Sequence, residues 1–321
     1  MTPSNHLEDF PRRAESDPTA PANREPGTAA QADSPAASNP AANANPWRFL
    51  TNNNPFYLIS AGFVVYGVRR CFSDELDVVN MWLLMGLLSG YALLVAAAGG
   101  VIVRWGKMWE DARSIFLVLL LLMLSISVSF DDLLLTEDGR TGFLLILMGF
   151  AVCVAVTEAL LWGLAIRFPA VFRVPYYLLL TLLYWYPLVL NAVLHDARLS
   201  AQGGGHALTW CVLLFSILAG AAMATLIPGA RRGREAAKSN GTPWSWPWFP
   251  MPLFLFLALG VGWRIYALGV SFGVDANCGA YFLIPFLLSC AAVVLELGLE
   301  TRNPWPRTLA LLAPVGLAWL S

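Results

Sequence analysis

Long apolar blocks, separated by short segments rich in charged residues, glycine and proline, recur along the chain from about residue 56 onward. Blocks of about 18 or more apolar residues have the length that a helix needs to cross roughly 30 Å of hydrocarbon. We therefore predict an all-α fold, a polytopic transmembrane helix bundle of eight spans, the first of them short. The predicted spans cover residues 56–68, 78–103, 114–130, 142–166, 176–194, 207–227, 252–271 and 281–299.

A ninth apolar block, residues 309–320, is about a dozen residues long, which is too short to cross a bilayer. It is either a re-entrant or interfacial segment, or the first part of a truncated ninth span. The second alternative is favoured. The multi-pass transmembrane domain that we predict for residues 47–321 is then expected to continue beyond Ser321.

Residues 1–46 differ from the rest of the chain, because they are rich in Ala, Pro, Ser and Asn and contain almost no large apolar residues. Such a segment cannot bury enough apolar surface to offset the entropy that ordering would cost. We predict a disordered cytoplasmic tail. No apolar core follows a basic start, so the tail is not predicted to be a secretory signal peptide.

The sixth predicted span carries a face of small residues, 219–222 and Ala224. Small side chains let the backbones of neighbouring helices approach closely within a membrane. We predict that this face packs against another helix.

The loop between the sixth and seventh spans sets the predicted orientation, because basic residues and then tryptophans are concentrated in it. Short loops rich in Lys and Arg stay on the cytoplasmic side, and indole rings favour the headgroup region. We predict that this loop and the N-terminus are cytoplasmic, in the cell (inner) membrane. The cytoplasmic side then receives Arg48, Arg104, Lys107, Arg113, Arg167, Arg173, Arg231, Arg232, Arg234, Lys238, Arg302 and Arg307, and the outer side receives Arg69, Arg70, Arg140 and Arg198.

Three ionisable residues fall within predicted spans, where charge is costly and usually faces a partner or a polar cavity. Arg264 lies about 12 residues from the inner end of the seventh span, roughly 18 Å deep. We predict that Glu158, Glu296 and Asn191 lie near it as ligand-binding candidates. The open alternatives are a structural buried ion pair, an anionic substrate site and a proton-coupled relay.

A second group of candidates falls on the predicted outer face: Asp131, Asp132, His195, Asp196 and His206. Carboxylates with histidines can bind a divalent metal or perform acid–base chemistry. No spacing such as HExxH is present, however, so no metal and no cofactor are predicted.

Cys71 and Cys278 also fall on the predicted outer side. In an oxidising compartment they would be able to form a disulfide that joins two outer loops. The sequence gives no distance between them, so whether they are bridged stays open.

The segment NNNPFYLISAGFVVYGVRR, residues 52–70, resembles the first span of uncharacterised multi-pass membrane proteins of bacteria such as planctomycetes. The resemblance covers about one helix. It implies a multi-pass membrane protein and no activity.

The function predicted from the sequence is a non-enzymatic membrane module for transport or sensing, with membrane lipids and a small anionic or lipidic ligand as partners. Hydrophobic residues make up 57% of the chain and charged residues 13%, which excludes an ordinary soluble domain and gives no support for nucleic-acid binding. A Walker A loop, a GxSxG motif and a dinucleotide fingerprint are absent. The alternatives are an intramembrane enzyme acting on a lipid or isoprenoid substrate through the outer-face residues, and the structural membrane portion of a longer protein.

Overall fold

The computed structural model describes residues 55–71, 78–107, 109–129, 139–195, 204–237, 241–271, 274 and 279–319. The predicted tail, residues 1–46, lies outside these ranges. So do Asp131, Asp132, Asp196 and Cys278, and the side chains of Cys71, His195 and His206 are not described. Whether Cys71 and Cys278 are bridged therefore stays open.

Ten α-helices and one short 3-10 helix make up the regular structure of the described residues. The α-helices are α1 (Pro55–Cys71), α2 (Val78–Gly106), α3 (Trp109–Ser129), α4 (Gly139–Gly163), α5 (Ala170–His195), α6 (Gly204–Ala224), α7 (Ile227–Ala237), α8 (Met251–Ser271), α9 (Ile284–Thr301) and α10 (Pro304–Trp319), and the 3-10 helix, Gly279–Leu283, precedes α9.

Six helical segments of the described chain are long and apolar enough to cross a membrane. This confirms the predicted helical membrane bundle, and eight or nine spans stay a prediction. The six segments are Asn80–Gly106, Arg140–Gly163, Ala170–Val193, Ala207–Glu235, Met251–Ser271 and Tyr281–Thr301, while the apolar part of α3, Ser114–Ser127, is shorter.

The outer surface of the bundle exposes many large apolar side chains. Leu94 of α2 is 64% exposed and Leu312 of α10 is 60% exposed. A soluble protein rarely exposes apolar surface over whole helix faces, whereas lipid tails cover such faces without cost. The exposed faces therefore suit a hydrocarbon environment.

The centre of the bundle is formed around α3, a leucine-rich helix that contacts α1, α2, α4 and α8. Leu122 and Ile126 of α3 are fully buried. The short apolar stretch of this helix is thus enclosed largely by other helices. The remaining helices pack around it through the α5–α6, α6–α9 and α9–α10 contacts.

The predicted packing face of the sixth span is confirmed at Gly220. A Cβ atom there would lie 2.8 Å from the backbone oxygen of Pro285 in α9. Ser289 donates a hydrogen bond to the same oxygen at 3.0 Å, within α9. The backbones of α6 and α9 therefore meet where only a glycine fits.

One end of the bundle gathers most of the described basic residues, and we call it the basic end. Trp244 contacts the ring of Trp109 at the start of α3, with centroids 5.7 Å apart. Trp246 contacts the ring of Phe172 at the start of α5, with centroids 5.8 Å apart. The basic residues at the helix ends and connections on this side are Arg104, Arg167, Arg173, Arg231, Arg232, Arg234, Arg302 and Arg307.

Candidate functional site

A partly open cavity of about 80 Å³ lies at the basic end. Its walls come from α3, α4, the connection between α4 and α5, the start of α5, the start of α8, and residues 241–250, which we call the Trp/Pro segment. The residues that form the walls are Phe116, Leu117, Leu119, Leu120, Met123, Thr157, Leu160, Leu161, Ile166, Phe168, Tyr176, Trp244, Trp248, Phe249, Pro250, Pro252 and Leu253. The lining is therefore mainly apolar and rich in aromatic rings.

Proline determines the shape of the Trp/Pro segment. Pro243, Pro247 and Pro250 lack backbone N–H donors and so disfavour a continuous helix between α7 and α8. The aromatic residues between them point to two sides. Trp244 and Trp248 line the cavity, while Trp246 packs on Phe172 and over Gly233 of α7.

Two glycines allow the Trp/Pro segment to pack closely against neighbouring parts of the chain. A Cβ atom at Gly233 would overlap the indole of Trp246, so only glycine leaves room for that ring. Gly241 has a φ of +77° and approaches the carbonyl oxygen of Ala165, in the connection that leads to α5. The segment is thus anchored at both sides and covers the cavity.

The hydroxyl groups in the cavity wall already have hydrogen-bond partners within the fold. The hydroxyl of Thr157 donates to the carbonyl of Cys153 at 2.8 Å and lies 3.0 Å from the hydroxyl oxygen of Tyr176. The Tyr176 hydroxyl lies 3.8 Å from the Met123 sulfur. These groups need no hydrogen bond from a ligand, so the cavity suits an apolar group.

A further set of hydrogen bonds continues from the cavity toward the middle of the bundle. The Tyr184 hydroxyl donates to the carbonyl of Met123 at 2.7 Å and lies 2.8 Å from the Cys153 sulfur. Ser127 donates to the carbonyl of Leu183 at 3.3 Å. Hydrogen bonds between helices contribute to association within a membrane. They hold α3, α4 and α5, the helices around the cavity, at a fixed spacing.

The two carboxylates that were predicted to lie near Arg264 form hydrogen bonds with other residues. Glu158 accepts hydrogen bonds from Arg173 and Tyr177 of α5. Glu296 accepts one from Arg231 of α7 at 2.6 Å. These contacts do not bring Glu158 or Glu296 to Arg264.

The position of each residue along its helix gives its approximate depth. Arg264 is 3% exposed and lies 13 residues after Met251, which places it about 20 Å from the basic end. Glu158 and Glu296 each lie five residues before the end of their helices at the basic end, at a depth of about 8 Å. The carboxylates therefore sit about 12 Å nearer the basic end than Arg264 does.

Arg264 and the partly buried Asn191 both make interactions within the fold. Their assignment as ligand-binding residues stays a prediction, and so does that of the outer-face residues. Among the described residues, no group of three or more His, Cys, Asp or Glu side chains is placed to hold a metal ion.

The cavity itself was not predicted from the sequence. The signal was present in residues 243–250, where tryptophan alternates with serine or proline after a basic segment. By itself this pattern indicates an interfacial loop. The sequence alone does not show that the same rings close a cavity between helices.

Comparison of the chain with protein-family models, curated proteins and solved structures finds no match. The resemblance of residues 52–70 to planctomycete proteins therefore stays a prediction. The function has to be inferred from the geometry at the basic end.

Proposed function

We propose that the chain is a non-enzymatic, lipid-binding membrane module that works in transport or sensing. The cavity beneath the Trp/Pro segment takes up part of the apolar chain of a lipidic ligand. The observation that supports this proposal is the lining: aromatic and aliphatic side chains, with the one hydroxyl pair, Thr157 and Tyr176, already hydrogen-bonded.

The position of the cavity favours the bilayer as the source of the ligand. Trp105, directly after Arg104, is 79% exposed, and Trp162, directly before Gly163, is 91% exposed. Exposed tryptophans favour the interface between headgroups and hydrocarbon. The cavity entrance then lies at the depth where the upper part of a lipid chain is found.

The size of the cavity limits what it can hold. At about 80 Å³ it is smaller than the roughly 150 Å³ apolar cavity that takes up benzene. A short part of one acyl or prenyl chain fits, and the rest of the chain stays among the surrounding lipids. Binding one chain segment reversibly suits transport or sensing better than a permanent structural role.

The distribution of charge supports the proposed orientation, with the basic end and the N-terminus in the cytoplasm of the cell (inner) membrane. Basic residues gather at the basic end, as the positive-inside rule requires of the cytoplasmic side. Protease digestion of an N-terminal tag in inverted vesicles, but not in right-side-out vesicles, would support this orientation. The reverse pattern would overturn it.

A cavity-filling variant tests the proposed function. Leu161 lines the cavity and is only half-buried, so Leu161→Trp adds an indole there without overpacking the core. Leu94→Trp adds the same ring to a lipid-facing surface and serves as the control. We expect native mass spectrometry to show a lipid adduct on the wild type and on Leu94→Trp, and its loss from Leu161→Trp at matched folded fraction.

Two results would contradict the proposed function. One is a wild-type protein that retains no lipid after mild solubilisation. The other is an adduct that Leu161→Trp retains as well as the wild type does.

A further inference from the structure

We propose that the lipid held at the cavity is anionic and that Arg104 and Arg167 bind its headgroup. This inference rests on the proposed function, because it assumes that the cavity takes up the lipid chain. Arg167 belongs to the connection between α4 and α5, which forms part of the cavity wall, and Arg104 of α2 contacts Gly163, where this connection begins.

Arg104 belongs to the last turn of α2 and contacts the end of α4. Its Nη1 atom donates to the carbonyl oxygen of Gly163 at 3.3 Å. Leu160 and Leu161, in the last turn of α4, line the cavity. The contact uses one of the five N–H donors of the guanidinium, so donors remain for an anionic group.

Arg167 lies between two residues of the cavity wall, Ile166 and Phe168. Its side chain is exposed. Arg173, one turn into α5, differs because Glu158 engages its guanidinium. Within the described part of the chain, neither Arg104 nor Arg167 forms an ion pair with a carboxylate.

Two arginines next to an apolar cavity wall, one beside it in the chain and one bonded to the end of α4, match the chemistry of an anionic lipid. A guanidinium presents parallel N–H donors that fit the oxygens of a phosphate group. The chain enters the cavity under the Trp/Pro segment, and the phosphate stays at the interface with the arginines. Because each basic residue near an anionic membrane surface contributes about 1 kcal/mol, we expect each arginine to favour the anionic lipid by about fivefold.

The test compares two lipids with identical acyl chains, the anionic phosphatidylglycerol and the zwitterionic phosphatidylcholine, by native mass spectrometry with graded lipid concentrations. We expect the wild type to bind the anionic lipid at least about tenfold more tightly. Arg104→Gln combined with Arg167→Gln should abolish this preference and still retain either lipid. Arg167→Gln alone, which removes no contact described within the fold, should reduce the preference by about fivefold.

Arg234→Gln is the matched control, because Arg234 is an exposed arginine of α7 at the same basic end, and no residue of α7 belongs to the cavity wall. It should keep the full preference. An excess of inorganic phosphate should not displace the lipid, since free phosphate lacks the chain; displacement would show an anion site without a lipid and would overturn the inference.

The outcomes separate this inference from the proposed function. Equal binding of the two lipids by the wild type, or an unchanged preference in the double variant, overturns the inference alone. Absence of both lipids from the wild type overturns the proposed function as well. If Arg234→Gln reduces the preference as much as Arg167→Gln does, the preference comes from the general charge of the basic end. That result would also overturn the inference.

Discussion

The contact between α6 and α9 and the contact among α3, α4 and α5 join helices in opposite ways. At Gly220 the backbone of α6 touches the backbone of α9, and a Cβ atom would come within 2.8 Å of a carbonyl oxygen. Among α3, α4 and α5, the helices are joined by the long side chains of Tyr176 and Tyr184, whose hydroxyls reach across to neighbouring helices.

The difference has a consequence for ligand binding. Backbone contact leaves no space for a ligand between two helices, so α6 and α9 form a close-packed pair. Tyrosine side chains hold helices apart as well as together, and the space that remains at the basic end is the cavity. The three predictions that follow test this contrast, from the largest expected effect to the smallest.

The backbone contact is the most sensitive. Gly220→Ala places a methyl group against the Pro285 carbonyl, which cannot rotate away, and should destabilise the fold by about 1–3 kcal/mol. Gly86→Ala is the control, because nothing lies within 4 Å of a Cβ atom at Gly86, and it should be neutral or slightly stabilising through helix propensity. Thermal unfolding in detergent measures both, and equal behaviour of the two variants would contradict the close contact.

The tyrosine contact should respond less. Tyr184→Phe keeps the ring and removes the hydroxyl that donates to Met123, so we expect a loss of about 1 kcal/mol. Tyr266→Phe removes a hydroxyl from a residue of α8 that is 47% exposed and should have little effect. If both variants unfold at the wild-type temperature, the hydrogen bond does not help to hold α3 and α5 together.

The ion pairs at the basic end should contribute least. The side chains of Arg173 and Glu158 are 47% and 38% exposed, and exposed pairs contribute at most about 1 kcal/mol. Glu158→Gln keeps an acceptor for Tyr177 and removes only the charge. A double-mutant cycle with Arg173→Gln should give a coupling energy of about 0.5 kcal/mol that decreases with salt. A coupling above about 2 kcal/mol would show a dehydrated pair instead.

Much of the helical fold could be predicted from the sequence, because apolar blocks of membrane length have few alternatives in a bilayer. The start of a helix is harder to predict where two prolines are both candidates for its first turn. The fifth span was predicted from residue 176, after Pro175, whereas α5 begins at Ala170, after Pro169. Phe172 and Arg173 donate to the Pro169 carbonyl, and Phe172 packs against Trp246, a contact between distant parts of the chain.

The cavity could not be predicted from the sequence. The residues around the cavity come from positions as far apart as Phe116 and Leu253, and apolar periodicity does not say which helices become neighbours. The same limitation applies to Arg264, Glu158 and Glu296. The sequence placed all three inside spans but did not reveal that Arg173 and Arg231 lie close enough to bond to the two carboxylates.

The most direct test of the lipid cavity is photo-crosslinking with a lipid that carries a diazirine in one acyl chain, followed by mass spectrometry of the labelled peptides. The proposed function predicts labels in residues 116–123 of α3 and 244–253 of the Trp/Pro segment and the start of α8, and their loss in Leu161→Trp. Labels confined to lipid-facing residues of α2 and α10, such as Leu94 and Leu312, would contradict it.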